Sequence, residues 1–188
     1  AELYKDKKVK AIVTAPISKE SLHLAKHYYD GHTGLLGSLF GIKEPYLMLA
    51  NKRFSTLHVT CHKPLSEAIN LIKKPKIIDV IKLGYEHMIK IGIKKPKIAI
   101  CGLNPHASEN GIFGSEEKYE IIPAINTLIK KGYNLIGPIS SDIIFRNAVL
   151  GKYDLVIAHY HDQGHIPVKL LYFDQSVNVT LGVPFVRT

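Results

Sequence analysis

Short apolar runs alternate along this chain with helix-length amphipathic stretches, and that alternation constrains the fold more than any other feature. An apolar run bounded by turn residues reads as a strand buried on both faces. A helix of about ten to fifteen residues between two such runs carries the chain back, so that the strands lie parallel. Residues 9–15, Tyr46–Ala50, Ser55–Cys61, Lys97–Gly102 and Tyr153–His159 read as strands. Ser18 reads as the N-cap of a helix reaching about Lys26, and Pro64 opens a helix ending near Lys73. Further helices are predicted over Ile77–Ile91, from Ser115 to Lys131 with a stop at Gly132, and over Asp142–Leu150. The fold class that follows is α/β, a parallel or mixed sheet with helices on both faces.

At 188 residues and 46% hydrophobic content the chain is large enough for one domain with a substantial core. It contains no internal repeat and no linker-like stretch. Its first residues, Ala1 to Lys8, are charged and lack the apolar core of a signal peptide. No apolar run approaches the ~20 residues of a membrane-spanning helix. Cys61 and Cys101 are the only cysteines, and both fall in predicted strands. A reduced, cytoplasmic protein with no membrane association is expected. Both ends read as interrupted, so residues 1–188 are expected to be the central part of a longer chain with two subdomains.

Lys and Arg number 25 against 16 Asp and Glu, a net charge of +9. The excess suits anionic ligands. Much of it sits in proline-flanked clusters such as Lys73-Lys74-Pro75-Lys76 and Lys94-Lys95-Pro96-Lys97, and no aromatic-interleaved basic motif accompanies them. Nucleic acid is therefore not expected as a partner.

Three of the ten histidines stand apart: His62, His106 and His161 each follow a predicted strand. In a parallel sheet the carboxyl ends of the strands share one rim, where ligands bind. Three imidazoles at that rim would make a divalent-metal site. Spacing alone leaves open that they are unrelated loop residues, because neither zinc-finger spacing nor His-Glu-x-x-His is present. Gly31-His32-Thr33-Gly34 at a predicted helix start offers free N–H groups, a hydroxyl and an imidazole to an anion. An ordinary glycine-rich turn explains it equally. The dinucleotide fingerprint Gly-x-Gly-x-x-Gly is absent. Asp142 has the position of an N-cap, and Lys169, Asn178 and Arg187 lie beyond the His161 loop.

In their order, five segments resemble the 4-hydroxythreonine-4-phosphate dehydrogenase family of pyridoxal phosphate (vitamin B6) biosynthesis. They are Ala15-Pro16-Ile17-Ser18-Lys19, Gly31-His32-Thr33, Cys101-Gly102-Leu103-Asn104-Pro105-His106-Ala107, Tyr160-His161-Asp162-Gln163-Gly164 and Asn178 to Thr188. The resemblance implies an isocitrate/isopropylmalate dehydrogenase-like α/β fold and a homodimer with a shared active site. It implies oxidation of 4-phosphohydroxy-L-threonine by NAD or NADP, then decarboxylation to 3-amino-2-oxopropyl phosphate. Carried over, His62, His106 and His161 are the ligands of a divalent metal (zinc, magnesium or cobalt). His32, Thr33, Lys169, Asn178 and Arg187 bind substrate, and Lys169 and Asp142 are catalytic. The chain departs from the family pattern at Gly34, Ser108 and His165. Two alternatives stand beside this reading. One is a dehydrogenase of 4-phosphorylated threonate or erythronate. The other is a basic, non-enzymatic protein that binds an anion or nucleic acid.

Overall fold

The apolar runs become a six-stranded sheet because each presents one set of side chains to each face. The computed structural model describes residues 1–29, 31–42 and 45–186. The chain divides into two compact units, one of residues 46–181 and one of residues 1–45 with 182–188.

Among its described residues the smaller unit holds three short helices: α1 (Glu2–Lys5), α2 (Lys19–Leu24) and α3 (His32–Leu39). Ser18 caps α2 as its sequence position predicts, its Oγ accepting from Ser21 N at 3.2 Å. An aromatic cluster joins Tyr4, Phe40 and Phe185, with the Phe40 and Phe185 rings 4.8 Å apart. Residues 9–15 do not form the predicted strand. Only Ile12 makes a bridge, its N–H donating to Val186 O at 2.9 Å, and Val13 is 81% exposed. β propensity produces a strand only where a neighbour supplies a ladder, and among the described residues the segment is assigned a bridge at Ile12 and no strand.

The larger unit runs β1 (Tyr46–Ala50), β2 (Ser55–His58), α4 (Leu65–Leu71), α5 (Lys74–Lys90), β3 (Ile98–Cys101), α6 (Ile122–Ile129), β4 (Leu135–Ile139), α7 (Ser141–Val149), β5 (Leu155–Ala158), α8 (His161–Tyr172) and β6 (Val177–Leu181). The strand order is β4-β3-β5-β2-β1-β6. β4, β3, β5 and β2 are mutually parallel, and β1 runs antiparallel to both β2 and β6. The mostly parallel α/β sheet follows the sequence reading, with β1 the single reversed strand.

Alternation along the buried strands sorts the core into two layers. Ile98, Ile100, Leu155 and Ile157 pack with Ile77, Val80 and Ile81 of α5 and Leu128 of α6. Ala99, Cys101, Val156 and Ala158 pack on the other face with Ile144, Phe145 and Ala148 of α7 and Val168 of α8. Helices thus cover both faces. Gly84 lets α5 approach the sheet, since a Cβ there would meet Leu155 Cδ2 at 2.6 Å and Leu57 Cδ2 at 2.9 Å. No helix among the described residues is long and apolar enough to cross a membrane.

The sequence did not signal β4, β6 or α8. β4 is an edge strand containing Gly137 and Pro138, residues that argue against a strand everywhere except at an edge. α8 contains Gly164 and Pro167, two helix breakers by propensity. Tertiary packing overrides both, because Gly164 is the contact that lets α8 lie on the sheet. A Cβ on it would strike His58 Nε2 and would lie 2.7 Å from Thr56 Cγ2. The helix predicted from Ser115 starts instead as a five-residue π turn, Glu117–Ile121, that runs into α6. β2 ends at His58, so Cys61 lies past the strand and is half-buried, whereas Cys101 is buried in β3.

Candidate functional site

Three neighbouring parallel strands, β3, β5 and β2, end at one rim. His106 follows β3 in the turn Pro105–Gly111, His161 opens α8 directly after β5, and His62 lies four residues beyond the end of β2. The topology therefore takes the three sequence-selected histidines to a common edge. The His62 and His161 rings lie 5.6 Å apart. Among the described residues the three do not close into a ligand cluster within one chain. The trio whose ligand atoms all lie within 4.8 Å of one another is Cys61, His161 and His165. An open pocket beside the pair is lined by His62, Lys63, Leu65, Tyr160, His161 and Asp162.

The two rings belong to a row of four imidazoles. His165 stacks on His161 with centroids 3.7 Å apart and planes 11° off parallel, and His58 lies 4.6 Å beyond His165. Hydrogen bonds fix the proton positions. The Leu47 carbonyl only accepts, so His58 Nδ1 donates to it at 3.0 Å and His58 Nε2 is an acceptor. His165 Nδ1 donates to that acceptor at 3.1 Å and also lies 3.2 Å from His161 O. His161 Nδ1 sits 2.6 Å from Asp162 Oδ1, the carboxylate–imidazole pairing that orients a ligating histidine. Burial pushes His58 and His165 down to about 4, with neighbouring imidazoles lowering both further and carbonyl hydrogen bonds opposing the shift. Both rings are therefore neutral at pH 7. Burial also pushes the Cys61 thiol up to about 11.

Behind the row, buried polar groups tie the strand ends together. Gln163 Oε1 accepts from His159 N at 2.6 Å, while its Nε2 donates to Gly102 O at 2.6 Å and Ser141 Oγ at 2.8 Å. One side chain thus joins β5, β3 and α7. His159 is fully buried, with Nε2 donating to Cys101 O at 2.8 Å, and burial lowers it to about 4. Thr60 Oγ1 donates to His159 O at 2.7 Å.

His106 is held differently. Residues His106, Ala107, Ser108, Glu109 and Asn110 all have positive φ, between 42° and 67°. A left-handed turn costs L-residues about 1–2 kcal/mol each, so surrounding contacts must over-determine it. Buried Glu117 supplies them: Oε1 accepts from Leu103 N and Asn104 N at 2.8 Å, and Oε2 accepts from Asn104 Nδ2 at 2.8 Å. Gly102 leaves space for Ala107, whose Cα would lie 2.7 Å from any Cβ at that position. The family departure at Ser108 falls at φ +67°, where glycine is the relaxed residue.

The other sequence-selected residues are spread more widely. Asp142 is exposed in the first turn of α7, and Ser140 Oγ donates to its Oδ1. That bond is the main cause holding its carboxyl below the ordinary range, with the nearby His106 contributing in the same direction. Lys169 lies on α8 with Nζ 4.8 Å from the Phe173 ring centroid. His161, His165 and Lys169 succeed each other at i, i+4 and i+8 and so share one face of the helix. Asn178 is exposed on β6 opposite Leu49, which also pairs with Thr56. It therefore stands level with the middle of β2 and not at the histidine rim. His32 and Thr33 form the first turn of α3 in the smaller unit, after Gly31 at φ +139°. Arg187 lies outside the described residues.

Sequence reasoning passed over His58, Gln163 and Glu117 as site-forming residues and recorded His165 only as a departure. The histidine and lysine spacing on α8 was the available signal, hidden because those residues read as a loop. Imidazoles oriented by a carboxylate suit a borderline transition-metal ion, and imidazole favours zinc or cobalt over magnesium.

The family model described as pyridoxal phosphate biosynthetic protein PdxA matches residues 1–188. A putative D-threonate 4-phosphate dehydrogenase of Oceanobacillus iheyensis is 46% identical over 188 residues, covering 100% of this chain and 57% of that protein. A 4-hydroxythreonine-4-phosphate dehydrogenase of Beijerinckia indica is 46% identical over 180 residues, covering 96% of this chain and 53% of that protein. The crystal structure of 4-hydroxythreonine-4-phosphate dehydrogenase from Klebsiella pneumoniae superposes with a TM-score of 0.88 at 42% identity, covering 99% of this chain and 56% of that one. The chain spans about half the length of the curated relatives it matches. With the fold, the order of the motifs and the family match in agreement over its whole length, the chain belongs to the PdxA family.

Proposed function

We propose that this chain forms part of a cytoplasmic, homodimeric dehydrogenase that oxidises the secondary alcohol of 4-phosphohydroxy-L-threonine in pyridoxal phosphate biosynthesis. The observation that carries the reading is the delivery of His106, His161 and His62 to one rim by three adjacent parallel strands, in a chain of this family. These three histidines would hold a divalent ion, zinc or cobalt by donor chemistry, with ligands drawn from both subunits. When bound, the ion supplies Lewis acidity at the alcohol and ketone oxygens. A nicotinamide cofactor, NAD or NADP, would supply the hydride acceptor; no residue of this chain is assigned to it, because the sequence carries no Gly-x-Gly-x-x-Gly.

The chain's own residues then have separate tasks. Asp162 holds the proton on His161 Nδ1 and leaves Nε2 as the donor atom. The Lys169 ammonium, two turns along α8, serves proton transfer at the substrate. Asp142 acts as a carboxylate partner beside His106. His32, Thr33, Asn178 and Arg187 are assigned to substrate binding on the family resemblance alone. Oxidation gives a β-keto acid, which loses carbon dioxide and gains a proton at the same carbon to yield 3-amino-2-oxopropyl phosphate.

A second reading, D-threonate 4-phosphate as the substrate, is favoured by the name of the Oceanobacillus relative, whose identity equals that of the Beijerinckia relative. The test is substrate-dependent NADH formation by the full-length protein with zinc or cobalt. NADH from 4-phosphohydroxy-L-threonine, abolished in H161A, supports the first reading. NADH from D-threonate 4-phosphate alone supports the second. Formation from neither, or undiminished turnover in H161A, overturns the assignment.

A further inference from the structure

Of the four imidazoles in the row, the function proposed above uses His62 and His161 and leaves His165 and His58 without a task. A ligating imidazole offers its Nε2 lone pair in the plane of the ring, so the plane decides where the pair points. The side chain's own torsion does not settle that plane, because the last torsion of histidine is broad. Asp162 ties one edge of the His161 ring, with Nδ1 2.6 Å from its Oδ1. That pair is open to solvent, at 39% and 68% side-chain exposure, and such a pair orients weakly. A single bond at Nδ1 also leaves the ring free to tilt about the line joining the two atoms.

His165 supplies the missing constraint. Its ring lies flat against that of His161, with centroids 3.7 Å apart and planes 11° off parallel, one turn further along α8. A flat contact at that distance resists the tilt that the Asp162 bond permits. His165 is fixed in turn from the side of the sheet. His58 is 1% exposed on β2; its Nδ1 is anchored on Leu47 O of β1, and its Nε2 accepts from His165 Nδ1 at 3.1 Å. Gly164 brings α8 close enough for that bond, since a Cβ there would strike His58 Nε2. The chain departs from the family pattern at His165, where an apolar side chain could neither donate to His58 nor lie as a flat hydrogen-bonded ring under His161. We propose that His165, clamped by His58, is a positioning residue for His161: its ring sets the plane in which the His161 Nε2 lone pair is offered at the rim. The consequence for metal binding rests on His161 being a ligand, as in the proposed function, whereas the orientation of the ring does not.

The test uses the full-length protein and its variants H165L, H58L and H58L/H165L, metal-free and titrated with cobalt(II). In the crystal structure of metal-free H165L the His161 ring should be rotated by more than about 30° or occupy two orientations. Cobalt affinity should fall at least about tenfold in H165L, with a changed visible absorption spectrum of the bound ion. H58L reaches the same ring from the buried side, keeps the His165 side chain and should weaken cobalt in the same direction. The double variant should lose no more than H165L, because His58 acts only through His165. A His161 ring that keeps its plane in H165L overturns the inference, whatever happens to the ion. So do losses that add in the double variant, or an unchanged affinity and spectrum in H165L where H161A has lost the ion. Cobalt binding undisturbed in H161A would instead remove His161 from the metal set, and a rotated ring in H165L would still uphold the positioning role.

Discussion

Replacing Glu117 with alanine should destabilise the larger unit more than any single change at the exposed histidines. Glu117 is 1% exposed, and its carboxylate accepts from Leu103 N, Asn104 N and Asn104 Nδ2, all at 2.8 Å. Hydrogen bonds to a charged group contribute about 1.5–3 kcal/mol each, and an orphaned buried N–H costs about 1–3 kcal/mol. Some of the loss is recovered if water enters the space left by the side chain. E117A should therefore lose about 3–5 kcal/mol, among the largest effects of a single substitution. For a chain of this size that lowers Tm by about 6–20 °C. E117Q keeps an acceptor for the two backbone N–H groups and should lose only about 1–2 kcal/mol. Urea unfolding followed by circular dichroism on the parent and both variants measures the order. E117A within about 1 kcal/mol of the parent would refute the carboxylate as the clamp on the left-handed turn. E117Q as damaging as E117A would assign the effect to the charge alone.

Two further outcomes follow from the same side of the sheet. G164A places a Cβ against Thr56 Cγ2, Ala158 Cβ and the His58 ring, all on strands that cannot yield. Overpacking of about 1–3 kcal/mol should exceed the helix-propensity gain of about 1 kcal/mol, so thermal unfolding should show a lower Tm; an unchanged or higher Tm refutes the close approach. Stability should also depend on acid pH through His159, which burial lowers to about 4 in the folded chain. Its folded pKa lies below the unfolded value, so the unfolded state binds the extra proton. The contribution is complete above about pH 6.5, falls away toward pH 4 and amounts to about 3 kcal/mol. Urea midpoints between pH 7 and pH 4 measure it, and a slope over that range no flatter in H159Q refutes the assignment.

The buried strands were legible because their apolar runs are bounded by turn residues, and β2, β3 and β5 are buried at every position. Tyr46–Ala50 and the helices over residues 64–91 were legible for the same reason, to within a few residues. What escaped was decided by packing. Gly164 and Pro167 argue against a helix until β2 offers the surface that only glycine can approach. Residues 9–15 argue for a strand, and the structure gives a bridge at Ile12 instead. In the site, the strand-end position of His62, His106 and His161 was readable, since rim location follows from strand order. The relay from Leu47 through His58 to His165 was not, because it joins residues about a hundred positions apart and depends on which nitrogen carries each proton. Glu117 was hidden likewise: a glutamate near a predicted helix start reads as a solvated first-turn residue, and only the fold turns it inward.

His161, His165 and Lys169 share one face of α8, and this makes the helix a ruler. The axial rise between His161 and Lys169 is set at about 12 Å by helical pitch, and loop motion elsewhere does not alter it. Inserting one residue between them would turn Lys169 by about 100° around the axis and take it off the histidine face. The same insertion in a loop would be absorbed with little change. An insertion that keeps Lys169 on the histidine face would therefore have to add whole turns or fall beyond Tyr172, where α8 ends.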